Sequence, residues 1–254
     1  MNRPIVICED SFQIAWAQAV IKLHENHWEA WNVIVQIEHP KLFNKNFNKL
    51  LDYFVKKYNK QNDNLMSPKH VAHTIFPQRF FIKGITRKNL YKKYWRFFDR
   101  PREKPRSGWG TYFVRMIQYP TPNGNIDQLG NIIDNINDRP KNYGASYTIV
   151  IPCPHKDLNK IMGAPCLNYI TVQTENLPNL KNKKNINMLA VYRNHDFTKR
   201  AYGNYLGLCN LLEYIAHETN SHVGTLTCVS SHAFVPNYKS ELLDIANNII
   251  EVAS

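Results

Sequence analysis

The sequence predicts an α+β fold, a single domain in which helices pack on a mixed β-sheet. Three observations carry this. The chain has 254 residues, 43% of them hydrophobic, enough for one substantial core. Short β-branched apolar runs, such as WNVIVQI at 31–37, are interspersed with segments whose apolar residues recur at helical spacing. No internal repeat and no linker-like stretch divides the chain, so residues 1–254 are read as one unit.

The elements follow in order. Ser11 can cap a helix whose apolar positions are Ile14, Ala15, Ala17, Val20 and Ile21. Trp31 to Ile37, bounded by Glu38-His39-Pro40, reads as a strand. Residues 44–58 alternate basic and apolar residues at helical spacing, and 59–67 form a polar loop. Residues 100–110 are rich in Pro and charge and read as a loop; Thr111 to Tyr119 reads as a strand. Residues 125–137 predict an amphipathic helix with Ile126, Leu129, Ile132, Ile133 and Ile136 on one face, broken over 138–144 by Pro140. Tyr147 to Pro152 is a short buried strand. Two strands at 167–174 and 186–192 are joined by a Lys/Asn-rich turn. A central apolar helix at 205–217, a strand at 225–229 and a closing helix at 240–252 complete the chain.

Composition narrows the function classes. The net charge of +12 favours anionic partners such as nucleotides or nucleic acid, although a well-solvated Lys- and Asn-rich surface accounts for it equally well. No apolar run approaches a membrane span, and residues 1–9 lack the basic-then-apolar leader pattern. The cysteines, Cys8, Cys153, Cys166, Cys209 and Cys228, form no CxxC pair, which predicts a reduced cytoplasmic protein without a disulfide framework or a metal site. Residues 64–98 contain no Asp or Glu, while Lys and Arg interleave there with aromatics such as Phe80, Tyr91, Trp95 and Phe97. Such a pattern can serve phosphate contact and base stacking, but no base-reading motif accompanies it. An amphipathic helix with a solvated basic side is the plainer reading.

The residues that carry chemistry come in a fixed order: Pro165-Cys166, then Arg193-Asn194-His195-Asp196, then Gly203-Asn204, then His232-Ala233-Phe234. A cysteine at a loop-to-strand junction can be an exposed thiolate nucleophile, and a guanidinium beside it would depress its pKa. Taken singly, each residue has an ordinary structural role: a small buried hydrophobe for Cys166, a surface ion pair for Arg193 with Asp196, a helix N-cap for Asn204, a structural histidine for His232. The specific signal is their joint order.

That order resembles the catalytic half of the thymidylate synthases and their pyrimidine-nucleotide hydroxymethylase relatives, as a diverged, short archaeal-type member. Asn204 lies eight residues past Asp196, the family's spacing, and Tyr205-Leu206-Gly207-Leu208 is similar to the helix that follows. Ile126-Asp127-Gln128-Leu129 resembles the helix preceding the family's phosphate-binding loop. The resemblance covers residues 110–236. It implies a pyrimidine nucleoside monophosphate as substrate and a reduced folate or pterin as one-carbon carrier, in a homodimer. Cys166 would attack C6 of the ring, and C5 would then capture the one-carbon unit. Arg193, with Asn194 beside it, would hold the 5′-phosphate. Asn204 would bond the base edge, an amide there going with uracil. Asp196 would organise the site, His232 would contact the sugar, and Tyr112 would assist proton removal from C5. Arg139 and Lys141 would stand in for an arginine pair that the family supplies from the partner subunit.

The chain also departs from the family pattern. Leu167 replaces the histidine after the nucleophile, and Phe234 replaces a sugar-binding tyrosine. The family's catalytic glutamate would fall near residues 70–80, where no acidic residue occurs. Two functions therefore follow from the resemblance: C5 methylation or hydroxymethylation of the nucleotide through a cysteine adduct, and, as the alternative, a non-catalytic nucleotide-binding or sensor protein on the same fold.

Overall fold

A computed structural model describes residues 3–60, 65–98, 108–138, 147–157, 163–176 and 184–253. Its elements are, in chain order, β1 (Ile5–Glu9), α1 (Phe12–Glu25), β2 (Glu29–Ile37), α2 (Lys45–Asn59), α3 (Pro68–Ile75), a 3₁₀ turn (Gln78–Phe80), α4 (Arg87–Phe98), α5 (Tyr112–Ile117), β3 (Tyr119–Thr121), β4 (Gly124–Ile126), α6 (Gln128–Asp138), β5 (Thr148–Val150), α7 (Pro154–Asp157), β6 (Leu167–Asn176), β7 (Lys184–Tyr192), β8 (His195–Asp196), α8 (Ala201–Glu218), β9 (His222–Phe234) and α9 (Lys239–Ala253). The predicted α+β class is what the structure has.

The main sheet runs β1-β2-β9-β7-β6-β5, with the short β8 paired to β9. It is mixed: β1 is parallel to β2 and β7 to β9, while β2–β9, β6–β7 and β5–β6 are antiparallel. On β7 alternate residues, Ile186, Met188, Ala190 and Tyr192, are buried, the signature of a sheet covered by helices on one face. The helix α8 lies on that face; Leu208, Leu211, Leu212 and Ile215 are fully buried. Asn32 on β2 takes a left-handed φ of 57° and is skipped in the β2–β9 pairing, whose register runs unbroken past it, with Trp31 opposite His232 and Val33 opposite Ser230.

The close approach of α3 to α8 depends on glycine. A Cβ on Gly203 would lie 2.5 Å from the Val71 Cβ and 2.8 Å from the Pro68 carbonyl oxygen, and one on Gly207 would lie 2.9 Å from the Ala72 carbonyl oxygen.

Several sequence expectations change. Thr111 to Tyr119 is not a strand: the Thr111 hydroxyl accepts from the Val114 N–H at 3.2 Å and caps α5, whose Phe113, Met116 and Ile117 are buried at helical spacing. The helix expected from 125 begins at Gln128, because the Asp127 carboxylate accepts from the Gly130 N–H at 2.8 Å; Ile126 instead sits in the β3–β4 hairpin, 43% exposed. The strand β1 was not expected, and α8 begins four residues earlier than read. The break expected over 138–144, including Arg139 and Lys141, lies outside the described residues past Asp138, as does most of the 100–110 loop. In the basic segment, Leu90 and Tyr94 are buried and Phe80, Phe81, Tyr91, Trp95 and Phe98 pack against the core. These rings build the interior, while Lys88, Lys92, Lys93 and Arg96 face water, as in an amphipathic helix.

Candidate functional site

The site is assembled at one end of the sheet from the start of β6, the segment after β7 and the end of β9. Cys166 immediately precedes β6 and is half-buried. Its carbonyl accepts from the Arg193 N–H at 2.9 Å, which ties the cysteine loop to the end of β7. The Arg193 guanidinium completes the tie: Nε donates to the Pro165 carbonyl at 3.1 Å and Nη2 to the Ala164 carbonyl at 3.3 Å. Arg193 is therefore a clamp on the Cys166 loop, with part of its donor fork committed. Its backbone N–H also bonds the Asn168 side chain at 3.2 Å.

The thiol is not depressed as the sequence suggested. Burial raises its pKa above the ordinary cysteine value, Arg193 and Arg200 pull it back, and Asp196 adds to the rise. Desolvation outweighs the two cations, so the resting group is a thiol. Tyr112 lies against it. The Tyr112 hydroxyl accepts from the Leu167 N–H at 3.5 Å, and burial, with the Cys166 sulfur nearby, pushes its pKa up to about 12.

Asp196 accepts from the N–H groups of Thr198 and Lys199, both at 2.9 Å through Oδ1, and so shapes the turn into α8. Burial still raises its pKa above the usual carboxylate value, against those two bonds and the charges of Lys199 and Arg200. Asn204 is no N-cap. It sits inside the first turn of α8, 3% exposed, and its amide Nδ2 is 3.1 Å from His195 Nε2. The other ring nitrogen of His195 is 2.8 Å from Ser230 Oγ, and the ring stacks on Tyr192 at 4.2 Å. Burial holds this histidine neutral, its pKa pushed down to about 3. A chain Ser230–His195–Asn204 thus orients the amide from behind.

His232 is part of a separate surface network. Its Nε2–H donates to Glu29 at 2.6 Å and its Nδ1 is 2.7 Å from Asn194 Oδ1, while its ring lies over Trp31 and stacks with Phe234. The structure therefore groups Cys166, Tyr112, Arg193 and Asp196 in one electrostatic neighbourhood, with Asn204 held from the core side and Asn194 tied to His232 at the rim. Sequence reading missed Arg200, whose charge acts on Cys166, Tyr112 and Asp196 and whose Nη1 donates to Met66 Sδ at 2.9 Å. It also missed His195 and Ser230. The available signal was the four-residue step from Arg200 to Asn204, which spans the first turn of α8.

Comparison with known sequences bears on this arrangement. The sequence model of the family described as Thymidylate synthase matches residues 9–249. Proteins named "Putative thymidylate synthase" from Methanosarcina mazei, Methanosarcina barkeri and Methanosarcina acetivorans are each 26% identical to this chain over 141 residues, 56% of this chain and 58% of the relative. The match thus spans a little over half the length of each of these curated relatives.

Proposed function

The chain belongs to the thymidylate synthase family, and from that premise we propose that it transfers a one-carbon unit to C5 of a pyrimidine nucleoside monophosphate through a Cys166 adduct at C6. The observation that carries this reading is the surroundings of the thiol: two guanidinium groups, a carboxylate and a phenol act on Cys166 at the mouth of β6.

The chemistry balances as follows. The Cys166 thiolate forms a bond to C6, and the C5=C6 electron pair moves to C5 as an enolate-type carbanion. C5 bonds the one-carbon electrophile, loses its proton, and the sulfur–C6 bond breaks to restore the double bond and the thiolate. Arg193 and Arg200 favour the negative sulfur against the burial that raises the thiol pKa, and so ease thiolate formation. Asn204 has one amide N–H and its carbonyl oxygen left for the base edge once His195 is served. Tyr112, neutral at physiological pH, acts as a hydrogen-bond relay for the C5 proton. Arg193, with Asn194 alongside, and Arg139 of the partner subunit receive the phosphate, and His232 receives the sugar.

A reduced folate or pterin suits the donor set: Asp196 offers a carboxylate to an N–H edge, and the rings of Trp109 and Tyr112, 5.0 Å apart and inclined by 44°, offer aromatic surface for a flat ring to lie against. When bound, that carrier would supply the electrophilic carbon, would leave with the electron pair of its bond to that carbon, and for methylation would also supply the hydride, water adding in its place for hydroxymethylation. The outer sheet face, where Trp31 is 56% exposed and Val6 61%, supports a homodimer packed sheet to sheet. Among the described residues no helix is long and apolar enough to cross a membrane, and all five cysteines are free, which supports work in the cytoplasm.

The test is deuterium exchange at C5, read by NMR. The nucleotides dUMP, UMP, dCMP and CMP are offered in heavy water, with and without a reduced folate, to wild type and Cys166→Ala. Exchange by the wild type alone is expected, on a uracil nucleotide. Nucleotide binding with no exchange for any of the four would replace the enzyme by the sensor reading.

A further inference from the structure

Behind α8, away from the cysteine, lies an open cavity of about 610 Å³. Phe12 and Phe76 form its floor and Phe43 and Phe97 its sides. Lys41, Lys69 and Arg79 line it against a single carboxylate, Glu213. None of Cys166, Tyr112, Arg193, Asp196 or Asn204 is in its wall. At about 100° per residue, Leu206, Asn210 and Glu213 stand on the side of α8 opposite Asn204, so the helix separates this space from the site already described.

Two polar atoms in the wall lack partners among the described residues. Gln78 Oε1 and His73 Nε2 are both shielded from solvent and have no hydrogen-bond partner among those residues, so a ligand in the cavity meets them once these side chains turn toward it. Such orphans are rare in folded proteins, because an unpaired buried acceptor forfeits its bond to water. Gln78 Oε1 can only accept, so it calls for an N–H or O–H donor. His73 is held neutral, pushed down to about 4 by burial and by Arg79 and His70 nearby, so its ring also offers hydrogen bonding without charge. The size falls in the range of small-molecule sites, roughly 300–1,000 Å³.

We propose that this cavity is a second ligand site, for a nucleoside monophosphate. The base lies between the phenylalanine rings with an N–H edge on Gln78 Oε1 and a ring nitrogen or amine at His73 Nε2. The phosphate meets Lys41, Lys69 and Arg79 at the rim. Aromatic walls select a flat ring, the orphaned acceptor selects an N–H edge, and three cations select a dianion. The assignment is independent of the reaction at Cys166.

Titration calorimetry with AMP, adenosine and ribose 5-phosphate tests it, on wild type, Gln78→Leu, the double variant Lys41→Glu/Lys69→Glu, and Arg193→Ala. AMP is expected to bind wild type and Arg193→Ala alike. Binding should weaken about tenfold in Gln78→Leu and at least as much in the double variant. Adenosine and ribose 5-phosphate should each bind at least about tenfold more weakly than AMP, one lacking the anion and the other the ring. Gln78→Leu removes an orphaned acceptor, so its melting temperature should not fall, and Lys41 and Lys69 are exposed, so the double variant should fold. AMP binding that is lost in Arg193→Ala but kept in Gln78→Leu would place the nucleotide at the cysteine site and overturn the proposal. Failure of AMP to bind wild type, or adenosine binding as tightly as AMP, would overturn it as well.

Discussion

The two sides of α8 are built on opposite principles. Its sheet side is filled: Leu208, Leu211, Leu212 and Ile215 are fully buried, and the Asn204 amide is matched to His195 and through it to Ser230. Its outer side is close-packed only where Gly203 and Gly207 admit α3, and beyond Leu206 it opens into a cavity with two unpaired polar atoms. One side is packed solid and ties the Asn204 amide to His195 and Ser230, although the buried hydroxyls of Tyr192 and Tyr205 beside them have no partner among the described residues; the other opens into a cavity. The difference teaches that a single helix can be a close-packed support on one side and an open wall on the other.

The most damaging way to break this comparison is to fill the helix crossing. Gly203→Val should cost about 3 kcal/mol or more, since even its Cβ would meet the Val71 side chain at 2.5 Å and the Pro68 carbonyl at 2.8 Å. For a chain of this length that corresponds to a melting temperature lower by about 6–12 °C. Thermal unfolding at neutral pH reads it, and an unchanged transition would mean that α3 can slide away.

The next effect sharpens the sheet side. Burial pushes the His195 pKa down to about 3 in the fold, against about 6.5 for an ordinary histidine. Between those values the unfolded chain binds the proton and the native one does not, so stability is complete above pH 6.5 and declines as pH falls toward 3. The slope for this one group is at most about 1.4 kcal/mol per pH unit. His195→Gln should flatten the acid limb of the stability–pH curve in denaturant titrations. His73, held down to about 4 on the outer side, adds a slope of the same limiting size that ends sooner, so His73→Gln should leave the decline below pH 4 in place. Parallel curves for wild type and His195→Gln would show that the buried histidine is not neutral.

The smallest effect lies at the end where α8 begins. Arg200 pulls the raised Cys166 pKa downward, so Arg200→Gln should move the pH midpoint of Cys166 alkylation further up, followed by mass mapping of the modified peptide. The sign is fixed: a higher pKa leaves less thiolate at any given pH, so the variant should react more slowly at neutral pH. A midpoint that stays put would remove Arg200 from the site.

Much of the site was legible before the fold. Cys166, Arg193, Asp196 and Asn204 could be singled out because each is a chemically distinctive residue in an ordered series, and the parallel pairing of β7 with β9 brings two parts of that series together. The strands at 31–37, 167–174 and 186–192 were legible because β-branched runs state their own conformation. The stretch from Thr111 was misread because its apolar residues suit a strand as well as a helix, and the deciding hydrogen bond, from Val114 to the Thr111 hydroxyl, is a local detail. Its buried Arg115, paired with Asp157 at 3.1 Å, likewise gave no sign of inwardness.

What the sequence determined by itself was therefore the fold class, the family resemblance and the candidate site residues, because these rest on residue type and spacing along the chain. Tertiary structure alone decided their states. The thiol is raised rather than depressed, because desolvation depends on what packs around it in three dimensions. Asn204 is aimed by a histidine on β8 and a serine on β9, and the cavity behind α8 exists because α1, α3 and the 3₁₀ turn enclose a space that no single segment contains. Burial and packing are sums over distant neighbours, and a linear sequence does not list which neighbours those will be.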